Sequence, residues 1–160
     1  WDQPASGDHD RSLSDRGRSA LPLMDEHLAA SSLRPDLVWC SSAQRTIETL
    51  AGIRSALPGQ ADIDIDRNLY NAYEDTVLGR LRELTDDVDC AMVVGHNPTM
   101  QRVALLLANP KAGDTAGYRQ VQTKLPTGAI MTISFDGPWS EVDAGSARLD
   151  DLFTPRPPRN

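Results

Sequence analysis

Apolar positions along the chain change period several times, and each change marks an element. Residues 1–13 (WDQPASGDHDRSL) show no period and are rich in turn formers, which predicts a loop. From Ser14, a good N-cap, to about Ala30, the residues Gly17, Leu21, Met24 and Leu28 share one helical face. Pro22 lies inside that helix and predicts a kink or a split. The run DLVWC, 36–40, is short and continuously apolar, as a buried strand would be. Ser42 then reads as the N-cap of a helix from about Ala43 to Leu57, with Ile47, Leu50 and Ala51 facing inward.

The alternation DIDID, 62–66, predicts a short strand near a sheet edge. Val77, Leu78, Leu81 and Leu84 give residues 74–85 an amphipathic helical stripe. CAMVV, 90–94, predicts a second buried strand, and Pro98 suits the first position of the helix that follows. That helix buries Met100, Val103, Ala104 and Leu107. AIMTISF, 129–135, and residues 146–153 complete the strands, and the tail 154–160 (TPRPPRN) is expected to be extended. No internal repeat or long linker divides the chain, so one domain spanning 1–160 is expected. Strands alternating with helices predict an α/β three-layer sandwich, with helices on both faces of a mostly parallel central sheet. In such sheets ligands sit where strand C-terminal ends meet helix N-termini.

Composition narrows the class. A net charge of −7 argues against nucleic acid as a partner, because phosphate backbones need a basic face. No apolar run reaches the roughly 18 residues of a membrane span, and nothing resembles a signal peptide, so a cytoplasmic protein with no membrane partner is expected. Cys40 and Cys90 are too few for a disulfide framework and read as buried, reduced thiols. They lack the spacing and neighbours of a zinc site, and no metal or other cofactor is implied.

Two strand-to-helix turns carry the candidate chemistry: VWCSSAQRT and VVGHNPTM. If the two strands are parallel, both turns open on one edge of the sheet. The first puts Arg45 in the opening turn of a helix, where the helix dipole disfavours a cation and favours an anion. Arg45 is therefore explained either by an anion held in front of it, which guanidinium grips bidentately, or by an outward pairing with a surface carboxylate such as Glu48. The second turn holds His96, a structural cap or a donor to an anionic oxygen. His27, on the flank of the first helix, reads as structural or solvent-facing. His9 lies in a loop among carboxylates with no strand to position it. Asp8 and Asp10, with Asp2, read as solvated, and Arg11 is ambiguous by itself.

Taken together, DHDRSLSDRGRSA, CSSAQRTIET and VVGHNPTM, with LY at 69–70 and LPTGAI at 125–130, resemble the histidine phosphatase superfamily, and within it the SixA-like phosphohistidine phosphatases. The resemblance covers almost the whole chain. It implies a phosphoglycerate-mutase-like fold and a metal-independent phosphatase working through a phosphohistidine intermediate. The substrate would be a phosphohistidine protein or a small phosphomonoester. It also implies that His96, Arg45 and Arg11 bind the phosphoryl group. The family's attacking histidine belongs to an Arg-His pair ending a first strand. That pair is expected a few residues before Trp1, so the sequence is expected to be truncated at its N-terminus. A non-catalytic phosphate-binding or interaction domain is the alternative. Glu74, or Asp75 beside it, is a possible general acid; both also fit as ordinary helix N-terminal carboxylates.

Overall fold

Leu37–Ser41 form β1, the middle strand of a three-stranded parallel sheet. A central strand is covered on both faces, so it takes a continuous apolar run, and Val38 through Ser41 are all buried. On one side lies β2, Asp62–Asp66, paired in parallel with Cys40 opposite Ile65. Its outward aspartates put charge along an edge, a common guard against further strand pairing. On the other side lies β3, Ala91–Val94, also parallel, with Cys40 opposite Val94. In β3 only Val94 is fully buried, contrary to the expected buried strand. Among the described residues β3 is an edge strand of this sheet, with a neighbour on one side only.

The computed structural model describes residues 7–156. They divide into two compact units. The first holds the chain to Asn71, residues 90–95 and Arg156, and so contains the parallel sheet. Its first helix, α1, spans Asp15–Ala30 and is capped as expected, Ser14 Oγ accepting from the Gly17 N–H at 3.2 Å. It buries Ala20, Met24 and Leu28, and it continues through Pro22 rather than splitting. The second helix, α2, spans only Gln44–Gly52 and gives way to a 3-10 turn, Arg54–Ala56. Asp25 of α1 holds that turn, accepting from Ser55 Oγ at 2.7 Å and the Ala56 N–H at 3.1 Å. The two helices meet closely: a Cβ added at Gly52 would lie 2.6 Å from Leu21 Cδ1.

The second unit, 72–89 and 96–155, opens with α3, Glu74–Arg82, which buries Val77, Leu78 and Leu81. It is three residues shorter than the 74–85 stripe. Next come α4, Thr99–Leu107, then β4, Ala108–Gly113, and α5, Thr115–Thr123. Pro98 is the cap of α4 rather than its first residue. Two further strands, β5, Ile130–Phe135, and β6, Ala147–Phe153, complete a sheet of order β4-β6-β5. β6 runs parallel to β4 and antiparallel to β5. Ala104, Ala108, Tyr118, Val121, Leu125 and Leu149 form the core, joined by Met131 and Ile133 of β5 as their alternation predicts. Three of the four strand pairings are thus parallel, and the fold is α/β with mostly parallel pairing, as expected.

Residues 154–156 have no regular structure, and the rest of the tail lies outside the described residues, as does Asp2. Cys40 is a buried free thiol whose pKa burial pushes up to about 11. Cys90 is also free but only half-buried, because it sits just before the edge strand β3. Among the described residues no helix is long and apolar enough to cross a membrane.

Candidate functional site

Because β1 and β3 are parallel and in register, with Cys40 opposite Val94, the chain leaves both strands at one edge of the first unit's sheet. The turn after β1 is built from buried hydroxyls. Thr46 Oγ1 lies 2.8 Å from both the Ser41 and Ala43 carbonyls, and Ser41 Oγ accepts from the Ala43 N–H at 3.4 Å. These bonds put Ala43, not Ser42, at the N-cap of α2, and no side chain caps that end. Arg45 is consequently the second residue of the helix. The Ser42 hydroxyl is engaged elsewhere, 2.9 Å from His9 Nε2.

Arg45 turns neither to solvent nor to Glu48. Its side chain is only 21% exposed. It donates from one nitrogen to the Asp8 carbonyl at 2.6 Å and from another to Asp8 Oδ2 at 3.1 Å. Its guanidinium carbon lies 5.8 Å from the Tyr70 ring centre. Tyr70 itself donates to Asp8 Oδ2 at 2.7 Å, and Arg11 reaches Asp8 Oδ1 at 3.2 Å. Two guanidiniums and a phenol from three segments thus converge on one carboxylate. The Tyr70 hydrogen bond holds the Asp8 carboxyl below its usual range, with Arg45 and Arg11 adding to the effect. The same bond pushes the Tyr70 phenol up, so it stays a donor.

Glu48 has other duties. It accepts from the Leu13 N–H at 3.0 Å and from Gln44 Nε2 at 3.0 Å, and it pairs with Arg18 at 3.2 Å. The Gln44 bond, then the Leu13 bond, hold its carboxyl low. The loop before α1 is therefore fastened to α2 at both ends. His9 is part of the fastening. Its Nδ1 meets Asp10 at 3.1 Å, and its ring packs edge-on against Tyr70 at 4.9 Å. The readings of Asp8 as solvated and His9 as unpositioned are both corrected here. The missing strand did not matter, because Ser42 and Tyr70 position the loop instead. The proximity of the sequence pair Asp8-His9 to Arg45 is set by tertiary contacts over 30 residues away, and no local spacing announces it.

His96 and Glu74 belong to the second unit. His96 is half-buried, and its carbonyl starts α4 by accepting from the Met100 N–H at 2.9 Å. Asn97 Nδ2 donates to the Leu125 carbonyl at 3.1 Å, which ties this turn to LPTGAI. Thr99 Oγ1 donates to the Ala72 carbonyl at 2.6 Å, which brings the start of α4 to the start of α3. Glu74 is the first residue of α3, and its Oε2 is buried with no hydrogen-bond partner. That oxygen therefore does not cap the helix. His27 is half-buried in the last turn of α1, in keeping with a structural role. Among the described residues no group of three or more His, Cys, Asp or Glu side chains is arranged to hold a metal.

The model of the histidine phosphatase superfamily (branch 1) matches residues 1–87. An uncharacterised protein of Mycobacterium tuberculosis is 34% identical over 149 residues, covering 93% of this chain and 92% of its own. A counterpart in Mycobacterium leprae is 33% identical over 151 residues, covering 93% and 89%. Among solved structures, the candidate phosphohistidine phosphatase SixA of Nakamurella multipartitia superposes with a TM-score of 0.79 at 26% identity, over 96% of this chain and 90% of that one. The corresponding SixA candidate of Agrobacterium tumefaciens gives 0.75 at 27% identity, over 98% and 91%. With the cluster on Asp8 built from the very segments that carry the sequence motifs, these matches lead to one conclusion: the chain belongs to the histidine phosphatase superfamily, in its SixA-like branch.

Proposed function

We propose that this protein is a metal-independent phosphatase whose Arg45, Arg11 and His96 bind the phosphoryl group during transfer to and from a histidine. The observation that carries the reading is the pair of guanidiniums meeting on one oxyanion at the turn after β1. A phosphoryl group in transfer spreads negative charge over its equatorial oxygens, and fixed donors around them supply most of the catalysis. Arg45 is such a donor: it is largely covered and held against Tyr70. His96 is assigned by its place in the VVGHNPTM motif and supplies a further donor or proton. The attacking histidine of the family follows an arginine, and residues 1–160 contain no Arg-His pair. Turnover in this reading uses such a pair from chain outside these residues.

Two substrate classes fit. A phosphohistidine protein needs little acid help, because imidazole leaves more easily than an alkoxide. A small phosphomonoester needs a proton at the leaving oxygen. Glu74 is placed for that task, with a buried, unpartnered oxygen at the end of the second unit where the His96 turn begins α4. The test measures phosphate release from a phosphohistidine peptide and from p-nitrophenyl phosphate, with rapid acid or alkaline quench to look for a phosphoenzyme. An acid-labile, alkali-stable phosphoenzyme that disappears in Arg45→Ala is the expected result. The absence of an Arg-His pair in the sequence favours a second reading, a phosphate-binding domain without turnover. Tungstate binding with no phosphoenzyme and no release would replace the first reading with the second.

A further inference from the structure

We propose that Asp8 is a displaceable internal anion: its carboxylate holds the place of the phosphoryl oxygens between Arg45 and Arg11 and exchanges with them when substrate binds. The inference rests on the reading that these two arginines grip the phosphoryl group. Three donors from separate segments meet on this one carboxylate: Arg45 from α2, Arg11 from the loop, and Tyr70 after the 3-10 turn Arg67–Leu69. Its two oxygens divide them, Oδ2 taking Arg45 and Tyr70 while Oδ1 takes Arg11. A tetrahedral oxyanion offers the same donors the same kind of oxygen edge, with more charge.

Asp8 is also built to leave. Its side chain is 55% exposed, so its departure uncovers little buried surface. Its backbone carbonyl separately accepts from Arg45 at 2.6 Å. That bond keeps the loop and Arg45 together while the carboxylate swings out. A structural ion pair meant to stay closed would be better served by a covered carboxylate, such as Glu48, whose side chain is 17% exposed.

Displacement makes every incoming anion pay the same cost, since the arginines are open for only part of the time. The apparent dissociation constant rises by the inverse of that open fraction, about tenfold if they are open a tenth of the time. After hydrolysis the same carboxylate returns to the arginines and helps expel phosphate. Simple repulsion by a fixed Asp8 would behave differently. Its energy scales with ligand charge, so a dianion would feel it twice as strongly as a monoanion.

Tungstate and perrhenate are tetrahedral oxyanions of similar shape carrying two charges and one. Their binding to wild type, Asp8→Asn, Tyr70→Phe and Arg45→Ala is measured by calorimetry near neutral pH. The expected result is that Asp8→Asn binds both anions tighter by one common factor, about tenfold. Tyr70→Phe, which removes one donor from the carboxylate, moves both in the same direction by less. Unchanged or weaker tungstate binding in Asp8→Asn overturns the proposal, as does a logarithmic gain for tungstate twice that for perrhenate. If Asp8→Asn does not fold, Tyr70→Phe decides: a common gain for both anions upholds the proposal, and no gain overturns it. Lost binding in Arg45→Ala with no gain in Asp8→Asn defeats this proposal alone. Wild-type binding in Arg45→Ala defeats both it and the phosphatase site.

Discussion

Asp8 and Glu74 are two carboxylates in opposite circumstances. Asp8 is more than half exposed yet receives two guanidiniums and a phenol, and its carboxyl is held low. Glu74 is drawn inward, and its Oε2 meets no donor. Exposure alone would rank their importance the wrong way for charge: the exposed group is the firmly ionised one. What decides is the set of donors each one faces. A carboxylate ringed by arginines marks where negative charge is welcome. A buried carboxylate oxygen without a donor is suited to carrying a proton. The two regions thus offer the two things phosphate-ester cleavage needs, charge stabilisation in one and acid help in the other.

The strongest way to break this contrast is to remove Arg45. Arg45→Ala is expected to lower turnover of every phosphorylated substrate by about 10³-fold, the scale of an arginine that stabilises a transferring phosphoryl group. Circular dichroism and thermal melting should show a folded protein. Arg11→Ala should cost less, because Arg11 is 68% exposed and makes one contact with Asp8 where Arg45 makes two. Arg45→Lys should not restore activity, since an ammonium cannot make the paired contacts of the guanidinium fork. Equal activity in Arg45→Ala and wild type would remove the charge-stabilising role from this region.

Glu74→Gln tests the other side. With p-nitrophenyl phosphate the leaving group is already good, so the informative substrate is a simple alkyl phosphate. Its turnover is expected to fall about 10²-fold, at the low end of general acid catalysis. Phosphohistidine hydrolysis should change little. A uniform loss across both substrates would show that Glu74 serves the helix start instead, as its place in the first turn of α3 also permits.

How much of this was legible in the sequence follows from how local each feature is. β1 and α1 are set by their own residues, a continuous apolar run and a Ser14 cap, and both appear where the pattern put them. Arg45 was legible for a similar reason: a cation in the first turn of a helix asks for an anion. The anion it has found, Asp8, was not legible, because 37 residues separate them and only the packing of the loop on α2 joins them. Ser42 misled because serine is a good cap. The buried pair Ser41 and Thr46 closes the turn first and frees Ser42 for His9. The pair β4 and α5 left no clear trace. Residues 108–113 contain Asn, Pro and Gly, all turn formers, and their pairing with β6 is irregular. α5 carries Gly117 in its first turn, although its cap, Asp114, follows the rule.

A smaller effect separates the polar cluster from the helix packing beneath it. Gly52→Ala places a Cβ 2.6 Å from Leu21 Cδ1, so α1 or α2 must give way. A loss of about 1–3 kcal/mol in chemical denaturation is expected, the usual range for overpacking. If the cluster on Asp8 depends chiefly on its own hydrogen bonds, tungstate affinity of the folded fraction should stay within about twofold of wild type. A large fall in affinity would mean that the position of α2, not the donors around Asp8, orders the first region.

The smallest effect concerns pH, and it joins the two ends of the loop. Asp8 and Glu48 both have carboxyl pKa values depressed in the folded protein. A depressed carboxyl binds its proton less readily when folded than when unfolded. Its stabilising contribution is therefore fully present above the ordinary carboxylate range, about pH 4, and is lost as pH falls through the folded value. Protonating Asp8 releases Arg45 and Arg11, while protonating Glu48 weakens its hold on Leu13 and Arg18. Melting temperature should therefore fall on acidification below about pH 4, with little change between about pH 6 and 8 from these two groups. Glu48→Gln should reduce the acid dependence and leave neutral tungstate binding nearly unchanged. Asp8→Asn should also reduce it but should change anion binding. If the two variants alter anion binding alike, the contrast between a carboxylate that merely fastens the loop and one that stands in for the ligand does not hold.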